Sequence, residues 1–163
     1  MLHTGDHWRN EVQIGPYTVL ASSLYGLNSR HRKSGSPMVP TWGCYLDEDW
    51  TKVKTDYSKI VIPWPDCGAI NLSMLKSLVQ TVREKLEAGE TIDIACLLGH
   101  GRTGTLLACL LVDIEGLAPD AAISEVRHRH CEHAVEFEEQ EELVCSYSWE
   151  MKHCSPNDSG GYK

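Results

Sequence analysis

No run in this sequence reaches the eighteen or so consecutive apolar residues that a helix needs to cross a membrane. The opening, Met1-Leu2-His3-Thr4-Gly5-Asp6, lacks the apolar centre of a secretory leader. Nor is there an excess of base, since fifteen Lys and Arg stand against twenty-three Asp and Glu, for a net charge of −8. General nucleic-acid binders carry a basic face, so that class is set aside. The cysteines do not come in pairs: there are seven, scattered at 44, 67, 96, 109, 131, 145 and 154. Without a leader, that number reads as reduced thiols in a cytoplasm rather than a disulfide framework. No internal repeat is visible either. What remains is a chain of 163 residues expected to be cytoplasmic, with neither membrane nor nucleic acid as a partner.

Residues 1–15 are polar and read as a loose lead-in. Strands are expected at Tyr17–Ala21, Gly43–Leu46, Tyr57–Ile62 and Ile92–Cys96 from their β-branched and aromatic content. Between the first two lies a loop rich in Ser, Gly and Pro with a basic knot, Arg30-His31-Arg32-Lys33, either a solvated turn or a rim that draws in acidic substrate. Pro63-Trp64-Pro65-Asp66-Cys67-Gly68 has two prolines within three residues, which excludes helix and central strand and leaves a shaped loop. Leu75, Leu78, Val79, Val82 and Leu86 recur at helical spacing, predicting a helix from Asn71 to Ala88 stopped by Gly89. Further helices are expected to Glu115, from Pro119 to about His130, and from Glu136 to Lys152. The run Glu138-Glu139-Gln140-Glu141-Glu142 reads as a solvated face, and the tail 155–163 as flexible.

The chain is organised around Ile92-Asp93-Ile94-Ala95-Cys96-Leu97-Leu98-Gly99-His100-Gly101-Arg102-Thr103-Gly104. A strand ends at Cys96, a glycine-rich turn follows, and a helix begins near Arg102. Such a turn aims several N–H groups at one point and adds a helix N-terminus, which makes an anion site. Gly99 to Gly104 also fits G-x-G-x-x-G, but a dinucleotide fold needs an acidic residue some twenty positions on at the end of a second strand. Asp120 and Glu125 fall in a helical pattern instead. A Walker loop wants Lys where Arg102 stands.

Cys96 to Gly104 resembles the phosphate loop of the cysteine-dependent protein tyrosine phosphatase superfamily, H-C-x-x-G-x-G-R-[ST]-G. Trp64-Pro65-Asp66 with Gly68 resembles that family's acid loop, W-P-D-x-G, and Ala134-Val135-Glu136 with Gln140 resembles its A-V-Q-x-x-x-Q segment. The resemblance covers roughly residues 57–150 and implies a single phosphatase domain over 1–154. The implied fold is α/β, a small twisted, mainly parallel sheet flanked by helices on both faces, with Cys96 at a strand end. The implied activity is hydrolysis of phosphotyrosine, with or without phosphoserine and phosphothreonine, on a phosphoprotein partner. Cys96 is the implied nucleophile and Arg102 the clamp on the phosphoryl oxygens, with Leu97, Leu98, Gly99, His100 and Gly101 completing the phosphate cradle. Asp66 is the implied general acid; Thr103 would donate to the sulfur and Gln140 orient water. No metal or cofactor is called for.

Departures from the family pattern at Ala95 and at Leu97-Leu98 matter, beside Glu136 where the first Gln of the A-V-Q segment is usual. Ala95 stands where the family has His, which removes one support of the thiolate; restoring it by Ala95→His should make Cys96 easier to alkylate. It also raises the alternative of a phospho-binding pseudophosphatase. Leu97 and Leu98 replace the basic residues that phosphoinositide phosphatases often use, and RNA 5′-triphosphatases favour a basic protein; both substrates stay as alternatives. Outside the motif, His128, His130, Cys131 and His133 have spacings that could ligate zinc, but neighbours two apart on a helix end face different ways, so no metal site is assigned. Cys67, next to Asp66, reads as an incidental thiol or as a disulfide partner for oxidised Cys96.

Overall fold

The sheet is built around Ile92–Cys96 (β5), all five of whose residues are buried. A strand covered on both faces needs no polar side, and Ile-Asp-Ile-Ala-Cys accordingly hides even its aspartate. The computed structural model describes residues 7–29 and 35–153; the basic knot at 30–33, Cys154 and the expected tail lie outside them. Tyr17–Ser23 (β2) and Trp42–Tyr45 (β3) flank β5 in parallel, with Ser23 opposite Cys96 and Tyr45 opposite Ala95. Ser58–Val61 (β4) adds to β3 in parallel, and Asn10–Ile14 (β1) to β2 antiparallel, for the order β1-β2-β5-β3-β4. Three parallel strands thus end together at Ser23, Tyr45 and Cys96, where a ligand site belongs in such a sheet.

The expected loose lead-in is wrong from Asn10 onward. Val12 and Ile14 are fully buried while Glu11 is exposed, the alternation of an edge strand with one wet face. Gly15 takes φ +55, the backbone a tight hairpin asks of its first corner, and so folds β1 back on β2.

The covering of the two faces is unequal. Four long helices pack on one face: Leu72–Glu87 (α2), Gly101–Glu115 (α3), Pro119–Arg129 (α4) and Glu138–His153 (α5). α3 runs through the middle, buried from Gly101 to Val112, which is why its sequence is apolar on all sides. Asn71 caps α2 by accepting from the amides of Ser73 and Met74, and Gly116 ends α3 in the left-handed conformation. Among the described residues the other face has only the short helix Leu24–Asn28 (α1) and the 3₁₀ turn Glu48–Lys52, with Tyr45, Trp50 and Ala95 at the centre of a small apolar cluster. Among the described residues no helix is long and apolar enough to cross a membrane.

Candidate active site

Cys96 is the last residue of β5 and is buried, and the chain after it turns back so that the Gly99 N–H donates to its Sγ (3.2 Å). Gly99 sits at φ +79, and a Cβ there would lie 2.9 Å from the Ser22 carbonyl oxygen, so neither conformation nor space admits a side chain. α3 starts at Gly101 and points its N-terminus into the same turn. Leu97 and Leu98 lie on the loop, with Leu98 exposed and the Leu97 carbonyl accepting from the Tyr25 N–H (3.1 Å).

Arg102 is almost wholly buried and its orientation is fixed from behind. Nη1 donates to the Leu46 carbonyl (3.1 Å), the Trp64 carbonyl (2.9 Å) and Asp47 Oδ2 (2.9 Å). Asp47, just past the expected strand Gly43–Leu46, is therefore the half-buried counter-ion that makes a buried guanidinium tolerable. Its other oxygen caps the 3₁₀ turn by accepting from the Asp49 N–H (2.9 Å). Nη2 lies 3.4 Å from Asp66 Oδ1.

Asp66 rides on a loop anchored by its tryptophan. Trp64 is buried, and its indole N–H donates to the Gly68 carbonyl (2.9 Å), closing the two prolines into a rigid turn. The Asp66 side chain is 66% exposed, at the mouth of the site. Cys67 beside it is exposed too, at φ +60.

Gln140 is the one buried member of its acidic run. Its Oε1 accepts from the amides of Glu136 (3.1 Å) and Phe137 (3.4 Å), and its Nε2 donates to the Gly68 carbonyl (3.4 Å), tying the acid loop to the start of α5. The preceding turn is strained: Val135 takes φ +58, costly for a β-branched residue. Arg127 holds it, donating from Nε to the Ala134 carbonyl (2.9 Å) and from Nη2 to that of Val135 (2.8 Å). Gly104 lets that turn approach, since a Cβ would meet the Val135 nitrogen at 2.8 Å. The Thr103 hydroxyl is buried with no hydrogen-bond partner among the described residues, so the expected donation to sulfur is not made here.

Behind the loop, Ala95 is fully buried against a stacked pair, Tyr45 and Trp50 (centroids 3.9 Å, planes 11° apart). The Trp50 indole N–H donates to the Cys96 carbonyl (3.0 Å). Next to them lies Asp93, which no pattern in the sequence marked. Oδ1 accepts from Ser22 (2.7 Å) and Oδ2 from the Tyr45 hydroxyl (2.9 Å), which also meets that of Tyr57 (2.5 Å). Burial pushes the Asp93 carboxyl up to about 6, even though these hydrogen bonds and the charge of Arg9 oppose the rise.

These groups enclose one hollow of about 80 Å³, lined by Asp66, Cys67, Cys96, His100, Arg102, Glu136 and Gln140 among others. A wider groove of about 470 Å³ beside α2 and α5 touches none of them. The four residues with zinc-like spacing are not gathered as a set. His130 instead braces the loop, its Nε2 meeting the Gly99 carbonyl at 2.7 Å.

Residues 41–148 match the family described as PTP-SAK, Swiss Army Knife protein, DSP-PTPase phosphatase domain. The uncharacterised protein MJECL20 of Methanocaldococcus jannaschii is 35% identical over 104 residues, 64% of this chain and 66% of its own length. The chain thus matches just under two-thirds of that curated relative. Among solved structures, Tk-PTP in its active form is 26% identical with a TM-score of 0.62, over 68% of this chain and 79% of its own. PTPMT1 in complex with PI(5)P shares the fold at 18% identity and a TM-score of 0.62, over 69% and 79%.

Proposed function

The chain belongs to the PTP-SAK family of DSP-PTPase domains, within the cysteine-dependent protein tyrosine phosphatase superfamily, and from that premise we propose that this phosphatase acts on phosphotyrosine in proteins, and on phosphoserine and phosphothreonine where the cleft admits them. The observation that carries the reading is the shared hollow: a thiol, a buried guanidinium and an acid side chain around a space for one tetrahedral oxyanion. In this reading the Cys96 thiolate attacks phosphorus in line with the ester oxygen, an S–P bond forms and the O–P bond breaks. Arg102, held by Asp47 and two carbonyls, offers Nη2 and Nε to two non-bridging oxygens, a planar fork that Lys cannot copy. Loop amides and the start of α3 take the remaining charge, and positioning does most of the work.

Asp66 gives its proton to the leaving oxygen and then takes one from the water that cleaves phosphocysteine. Gln140, at hydrogen-bond reach of the acid loop, orients that water. Thr103 has a hydroxyl to spare for the departing sulfur. The setting is the cytoplasm, in keeping with the reduced thiols of Cys44, Cys67, Cys96, Cys109, Cys131 and Cys145.

Protein rather than polyphosphorylated lipid is favoured by the carboxylates. Asp47, Asp66 and Glu136 crowd one full cation, Arg102, which suits a single phosphoryl group. The test is a panel of phosphotyrosine, phosphoserine and phosphothreonine peptides, a phosphoinositide, a 5′-phosphorylated RNA and a simple aryl phosphate. Wild type should turn over the aryl ester and the phosphotyrosine peptide, with Cys96→Ser inactive. Asp66→Ala should lose about 10²–10⁴-fold, most on the poorest leaving groups. Binding of all these phosphates without turnover would establish a pseudophosphatase instead, and preference for lipid or RNA would reassign the substrate.

A further inference from the structure

His7, His100 and Cys131 come from three distant parts of the chain, yet their ligand atoms all lie within 4.8 Å of one another. We propose that these three side chains bind a soft divalent transition-metal ion, Zn²⁺ foremost, on the back of the phosphate loop. The inference goes beyond the phosphatase reading and does not depend on turnover.

The donors are two imidazoles and a thiol, the mixture that selects zinc over magnesium or calcium. A tetrahedral site with bonds of about 2.0–2.3 Å puts its ligand atoms roughly 3.3–3.8 Å apart, so the group closes on an ion by small side-chain rotations. Each imidazole has a partner for the nitrogen that would not ligate. His100 Nδ1 lies 3.9 Å from Glu136 Oε1, and its Nε2 is buried. His7 Nδ1 lies 3.2 Å from the Asn10 side-chain amide, and its Nε2 is buried as well. Burial pushes the Cys131 thiol up, and the His133 N–H, 3.4 Å from Sγ, opposes that rise. Ligation forms the metal–sulfur bond and releases the thiol proton to solvent. A fourth donor is close: the His133 ring centroid is 5.7 Å from that of His100.

The position gives the ion a consequence. His100 belongs to the phosphate loop and lies between Gly99 and Gly101, while His7 precedes β1 and Cys131 follows α4. One ion would join the loop to both.

The experiment is Co²⁺ and Zn²⁺ titration of the full chain, followed by the sulfur-to-cobalt charge-transfer band, the visible bands of tetrahedral cobalt, and thermal unfolding. Wild type and Cys96→Ser should both bind one equivalent with a thiolate band that Zn²⁺ abolishes, and Zn²⁺ should raise both melting temperatures. Cys131→Ser should lose the band and the Zn²⁺-induced shift, and His7→Ala should bind at least tenfold more weakly. Cooperative unfolding without metal shows that each variant is folded. A band lost in Cys96→Ser but kept in Cys131→Ser would place the metal in the catalytic hollow and overturn the proposal, as would the absence of saturable Zn²⁺ binding.

Discussion

Trp50 braces the phosphate loop from behind Ala95. Its indole N–H holds the Cys96 carbonyl, and because the peptide is planar and trans, fixing that oxygen also turns the Leu97 N–H away from the indole. Trp50→Phe keeps the ring stacked on Tyr45 and removes one hydrogen bond worth about 0.5–1.5 kcal/mol. A loss of roughly 3–10-fold in kcat is expected, read with the aryl phosphate; unchanged kcat would show that the carbonyl needs no holding. The same pair corrects the expectation for Ala95→His. Ala95 has no exposed surface and no room beside Tyr45 and Trp50, so an imidazole there overpacks the site and costs stability before it can help the thiolate. Asp93, below them, sets a pH dependence. Its folded-state value near 6 lies above the 3.8 of an unperturbed aspartate, so the folded chain holds the proton more tightly. Stability is therefore highest below pH 4 as far as this group is concerned, falls between pH 4 and 6, and stays reduced above. Asp93→Asn can accept from Ser22 and donate to Tyr45, whose own proton then goes to Tyr57. Denaturant midpoints at pH 4.5 and 7 should fall with rising pH in wild type relative to the variant; parallel profiles would refute the assignment.

At the scale of elements, the site depends on a strained turn between α4 and α5. Arg127 satisfies two carbonyls there while Val135 is held at positive φ, and Glu136 and Gln140 follow within the next five residues. Arg127→Ala should destabilise by about 1–3 kcal/mol through the orphaned carbonyls and, by letting Gln140 drift, slow hydrolysis of phosphocysteine more than its formation. A larger pre-steady-state burst of leaving group, with a lower melting temperature, is the outcome to look for. The motif that marked this turn was legible because each of its residues has a local chemical task. So were β5, the loop after it and the stripe of α2, where period and glycine placement act over a few neighbours. β1 was not, because two buried residues in a polar segment give too short an alternation to stand out. Asp47, Trp50 and Asp93 were not legible either. Each acts on a group 46 to 71 positions away (Asp93 on Ser22, Trp50 on Cys96, Asp47 on Arg102), and nothing in their own surroundings records the partner.

For the whole molecule the governing quantity is charge. The chain carries −8, and Asp66 and Glu136 line the mouth of a hollow that must admit a dianion. Arg102 attracts the phosphoryl group only at close range, since its charge is buried and paired with Asp47. Approach from a distance is therefore against the field, and the effect of salt separates the two regimes. Between about 0.01 M and 0.15 M salt the Debye length falls from roughly 30 Å to about 8 Å, which screens the global repulsion and leaves the clamp intact. For an aryl phosphate, or a phosphotyrosine peptide with acidic flanks, kcat/KM should rise over that range. For a peptide with Lys and Arg flanking the phosphotyrosine it should fall, because there the same field steers association. The basic peptide should be the better substrate at low salt, and the two should converge as salt is added. Should both respond with the same sign, the field of the whole chain does not govern capture, and selectivity must reside in contacts at the mouth alone.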